Sequence, residues 1–110
     1  MAVIFDAHVH LYHFFDLAKV VHCAHANFER ILRAAGQRVE DAARLLLLTE
    51  RKGQNFFREV GSGERLIEGC RISRCEAALR VDAAGAPPLF LLPGRQMACR
   101  FWARCRAGRI

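Results

Sequence analysis

FDAHVHLY, residues 5–12, follows the apolar start Ala2–Ile4 and places Asp6, His8 and His10 on alternate positions. On an extended chain successive side chains point to opposite faces, so these three share one face. Val3, Ile4 and Phe5 are consecutive good strand formers, and Ala2 to His8 reads as a short buried strand. Two imidazoles at i and i+2 can converge on one ion at distances of about 2.0–2.1 Å. The competing reading is a strand whose histidines are satisfied by backbone groups.

Working outward, the next signal is helical. Asp16 is a good N-cap, and Leu17, Val20, Val21, Ala24, Phe28, Ile31 and Leu32 recur at helical spacing. Gly36, free to adopt a left-handed conformation, should end that helix. RLLLLT, residues 44–49, is too short for an ordinary core helix and suits a strand covered on both faces. A second helix is expected from about Lys52 to Val60, closed by GSG at 61–63. Leu66–Ile72, Ala77–Asp82 and Leu89–Leu92 read as strands, with AAGAPP at 83–88 as the turn of a hairpin. Strand, helix, strand, helix, strands is an α/β order, and its first two strands are parallel if they share a sheet.

Composition narrows the class. At 110 residues and 53% apolar, the chain is long enough for one small folded domain. No apolar run approaches the roughly 18 residues of a spanning helix, and the N-terminus lacks the pattern of a signal peptide. No membrane association and a cytoplasmic location are therefore expected. Residues 1–60 carry 8 Lys+Arg against 7 Asp+Glu, whereas residues 61–110 carry 9 Arg against 4 acids. A basic end can attract nucleic acid, but only Phe101 and Trp102 supply aromatic faces there, so nucleic-acid binding is not expected. Cys23, Cys70, Cys75, Cys99 and Cys105 are odd in number and lack paired zinc-ribbon spacing, which suits free thiols.

The stretch IFDAHVHLY resembles the first-strand signature of the amidohydrolase superfamily, an apolar strand leading into D-x-H-x-H near the N-terminus. The resemblance covers about nine residues. It implies a TIM-barrel-like fold, His8 and His10 as ligands of a divalent metal (zinc first), and hydrolysis of a small-molecule substrate by metal-activated water. The related PHP phosphoesterases also open with a strand bearing HxH and form a second candidate. Asp6, His13 and Glu50 are candidates for the second shell or rim of such a site. Glu50 directly follows the LLLLT strand, although an acid that starts a helix accounts for it more simply. Arg95 and Gln96 are candidates for the same rim.

Later requirements of the superfamily are missing. No histidine follows His25, the only lysines are Lys19 and Lys52, and no Asp follows Asp82. A complete barrel needs roughly 200 residues or more. The expectation is a partial set of barrel-like βα units followed by a short β-hairpin region. Residues 1–95 would form one α/β domain and residues 96–110 a basic irregular tail. Arg, Ala, Gly and Cys crowd that tail, which suggests a reading frame departing from an ancestral one near Gln96 or Met97. An incomplete, inactive fragment is then expected, or alternatively a non-catalytic α/β interaction domain. Unpaired strand edges would favour self-association. His22 and His25 are neighbours on the predicted helix and are expected on its exposed face.

Overall fold

The computed structural model describes residues 2–12 and 15–94. Their order is β1 (Ala2–Val9), α1 (Leu17–Ala34), a 3-10 turn (Val39–Asp41), β2 (Ala42–Leu48), α2 (Phe56–Ser62), β3 (Cys70–Cys75), β4 (Ala78–Ala83) and β5 (Leu89–Leu92). The five strands make one mixed sheet in the order β1-β2-β5-β4-β3. β1, β2 and β5 are parallel neighbours, while β4 pairs antiparallel with both β5 and β3. The α/β class, the parallel first pair and the hairpin from β4 to β5 are as expected. The sheet is open, and β4 occupies the outer side of β5.

Helix α1 forms for the local reasons legible in its sequence. Asp16 Oδ1 accepts from the Ala18 and Lys19 amides at 3.0 and 3.4 Å, satisfying two donors that the first turn cannot pair internally. Its apolar stripe Leu17, Val21, Phe28 and Leu32 is buried, and Gly36 takes a left-handed φ of 71° just beyond its end. Across the sheet, Leu46, Leu48, Leu79, Val81, Leu89 and Leu91 meet that stripe and the Phe56 and Val60 side chains of α2 in a single core. Strand registry sets Leu91 beside both Leu46 and Leu79, so these residues occupy one face. Both helices therefore cover the same face of the sheet.

Four expectations need correcting. β1 is not a buried inner strand but an edge, with Val3 59% and Phe5 63% exposed. β2 is not equally covered on both sides: its residues alternate between buried and half-buried. The second helix begins at Phe56 rather than near Lys52, because Lys52 and Gly53 form a turn, with Gly53 at φ 86°. The strand expected over Leu66–Ile72 starts at Cys70 instead. Leu66 is 81% exposed, and Gly69 at φ 76° interrupts extension before the strand. The predicted tail at 96–110 and Arg95 lie outside the described residues.

Candidate metal centre at the ends of the parallel strands

The C-terminal ends of β1 and β2 are stitched together where the two histidines emerge. The Thr49 amide donates to the Val9 carbonyl at 2.7 Å, and the Glu50 amide donates to the Gly94 carbonyl beyond β5 at 3.2 Å. Gly94 is required at this crossing, because a Cβ there would clash with the Leu48 carbonyl oxygen. The register of β1 against β2 shifts between Asp6 and Val9, the kind of irregularity that re-aims side chains at strand ends.

There His8 and His10 meet. Their Nε2 atoms lie 2.9 Å apart, with ring centroids at 4.5 Å and planes nearly perpendicular at 86°. His10 Nδ1 is 3.0 Å from the Thr49 carbonyl oxygen. A carbonyl can only accept, so Nδ1 of His10 carries a proton and, in the neutral ring, Nε2 presents a lone pair. His8 Nε2–H must then be the donor of the contact between the rings. One proton sits where two nitrogens point, and a cation could take its place. Nitrogens separated by 2.9 Å can both lie about 2.0–2.1 Å from a single point, so the pair fits a shared divalent ion. The Thr49 carbonyl supplies the outer support that commonly fixes the tautomer of a ligating imidazole. Binding would require His8 to move its proton from Nε2 to Nδ1, with no change in net ring charge.

The other candidates fare differently. Asp6 does not reach either ring; its Oδ1 accepts from the His8 amide at 3.0 Å and so shapes the backbone. The same residue lines a groove of about 380 Å3 between β1 and α1, with Val20, Cys23, Ala24 and Asn27. Glu50 is buried, and its Oε1 accepts from the Phe56 amide and, at 3.2 Å, from the Phe57 amide. It caps α2 from six residues upstream, which is the helix-starting role rather than a place on the rim. His13 lies outside the described residues. Tyr12 flanks His10 at 6.4 Å between ring centroids, with the Arg51 guanidinium 6.0 Å from the Tyr12 ring. Among the described residues no group of three or more His, Cys, Asp or Glu side chains converges as a metal cage.

Sequence reasoning missed Thr49, whose contribution is a main-chain oxygen and leaves no trace in residue type. It also misplaced His25. That ring is buried beneath α1, where its Nδ1 accepts from Arg44 Nη1 at 2.9 Å. Arg44, on β2, is fully buried and donates a second bond to the Val39 carbonyl at 3.0 Å. Burial, and secondarily the Arg44 charge, lower the His25 pKa, which keeps the ring neutral and able to accept. Its Nε2 and Arg44 Nε are both buried without a hydrogen-bond partner among the described residues. His22 is exposed, as expected.

No protein-family model, curated protein or solved structure matches the chain. Among the described residues no helix is long and apolar enough to cross a membrane.

Proposed function

We propose that the chain is a hydrolase-like α/β protein that binds a divalent metal, zinc first, through Nε2 of His8 and Nε2 of His10. The observation that carries this reading is the 2.9 Å approach of those two nitrogens, with the Thr49 carbonyl selecting the His10 tautomer that leaves one of them free to ligate. A divalent ion there supplies Lewis-acid chemistry and lowers the pKa of a coordinated water toward about 7. The chain's own part is to hold the two rings. The link from Thr49 to Val9 fixes the strand ends, and the Asp6 carboxylate sets the main chain at His8. Tyr12 stands beside His10, and the Arg51 guanidinium lies over the Tyr12 ring, where a polar or anionic small-molecule substrate could be oriented.

The amidohydrolase class is favoured by D-x-H-x-H at the end of the first strand and by the parallel β1-β2-β5 arrangement with helices on one side. On this reading the strands are barrel-like βα units whose first strand supplies the two metal ligands His8 and His10. A PHP-type phosphoesterase fragment is the nearest variant. The second reading, a non-catalytic interaction domain, rests on the exposed Val3 and Phe5 of β1.

Metal analysis separates the readings. Protein exposed to zinc and dialysed should retain one equivalent, and the H8A/H10A variant should retain none while keeping its circular-dichroism spectrum. Zinc retained equally by the folded variant, or absent from the unaltered protein, would overturn the metal reading.

A further inference from the structure

We propose that β1 and the outer flank of α1 form a self-complementary interface, through which two copies of this chain join their sheets edge to edge. Among the described residues no strand lies on the outer side of β1, so its outward N–H and C=O groups have no sheet partner there. Natural edge strands are usually blunted by proline, lysine or a short length. β1 has eight residues, AVIFDAHV, and its only formally charged side chain is Asp6.

The flank above this edge is mixed, with Val20 and Ala24 among Asp6, Asp16, Lys19 and Asn27. The outer flank of α1 presents Val20, Ala24, Asn27 and Ile31 at helical spacing: Val20 and Ala24 are half-buried at the margin of the core, and Ile31 is 46% exposed. Val20, Ala24 and Asn27 line the groove between α1 and β1. Edge and flank thus lie side by side, and one partner can cover both.

A second copy fits this surface through a two-fold axis perpendicular to the sheet. Antiparallel pairing about Phe5 sets Phe5 against Phe5 of the other copy and Val3 against Ala7. Directly opposed residues keep their side chains on one face, so the phenyl rings form a cross-strand aromatic pair. Centring the ladder one residue later would oppose two Asp6 carboxylates, which disfavours that register. The same axis lays the two α1 helices side by side and antiparallel. The acidic Asp16 at one helix's start then faces the other's C-terminal half, where Arg30 and Arg33 lie.

Area is consistent with a stable pair. An eight-residue ladder is about 27 Å long, and sheet plus helix layer is roughly 20–25 Å deep. The resulting cross-section of roughly 600 Å2 per copy approaches the roughly 800 Å2 of a standard interface. His8 and His10 remain at the outer ends of the ladder, so pairing does not depend on metal.

Sedimentation equilibrium of the full chain in EDTA tests the interface apart from the metal reading. The expected result is a dimer at tens of micromolar. F5K sets like charges opposite each other, and I31K charges the helix flank. Each should weaken dimerisation at least about tenfold without altering the circular-dichroism spectrum. Because both positions are exposed in the single chain, at least one variant should fold. A monomeric unaltered protein, or a dimer that persists in a folded F5K or I31K variant, would overturn the proposal.

Discussion

Two nitrogen pairs, each 2.9 Å apart, have opposite consequences in this molecule. At the strand ends His8 meets His10, two like rings that are exposed or half-buried and joined by one hydrogen bond. Beneath α1, His25 meets Arg44 in the core, and the donor is a guanidinium that does not give up its charge. The first pair is the one proposed to exchange its bridging proton for a cation. The second already contains one, and a metal there would face electrostatic repulsion as well as desolvation. Distance alone does not make an imidazole a ligand; the chemistry of its partner and access to solvent decide.

The largest effect should come from breaking the buried pair. H25A removes one acceptor from a buried charge and leaves Arg44 Nη1 without its partner, costing about 3 kcal/mol of stability in urea unfolding. The pair also predicts a direction with pH. Because the His25 pKa is lowered from the ordinary 6.5 in the folded chain, the unfolded chain takes up the proton first as pH falls. This contribution is therefore fully retained above about pH 6.5 and lost as pH drops toward the lower folded value. Urea midpoints at pH 8 and pH 5 should differ less in H25A than in the unaltered protein. An equal difference would remove His25 as the source.

Next comes Glu50, which sequence position alone made a candidate for the metal rim. E50A should lose about 2 kcal/mol, because two amides at the start of α2 lose their acceptor, yet its zinc uptake should be unchanged. Impaired zinc uptake in folded E50A would return this carboxylate to the metal centre. Smallest of all should be the stability change of H8A/H10A in the absence of metal, below about 0.5 kcal/mol, since both rings lie at the surface end of the sheet. A much larger loss would make the pair a structural element instead.

These contrasts follow what sequence can and cannot reveal. α1 was legible because its determinants are local: the Asp16 cap, the stripe from Leu17 to Leu32 and the nearby Gly36. β1, β2 and β5 were legible as apolar runs, and HxH located the ring pair. What escaped depends on distant partners. The start of α2 is set by a carboxylate six residues upstream and by the turn at Gly53, and β3 is an outer strand with little apolar alternation to mark it. His25 lies at the spacing of the buried stripe, between Val21 and Phe28, but its polar ring beside His22 reads as a surface residue; the strand beneath supplies Arg44, which no helix-based pattern contains. Nor could alternation along β1 show that Asp6 would bond the His8 amide rather than join the rings.

Whether His8 and His10 grip one ion through their Nε2 atoms, as proposed, is read most directly from long-range 1H–15N spectra of the imidazoles during a zinc titration. The two Nε2 resonances should move together and saturate at one zinc per chain, while Nδ1 of both rings is protonated. Zinc saturation with His8 still protonated at Nε2, or with His10 ligating through Nδ1, would contradict the proposal.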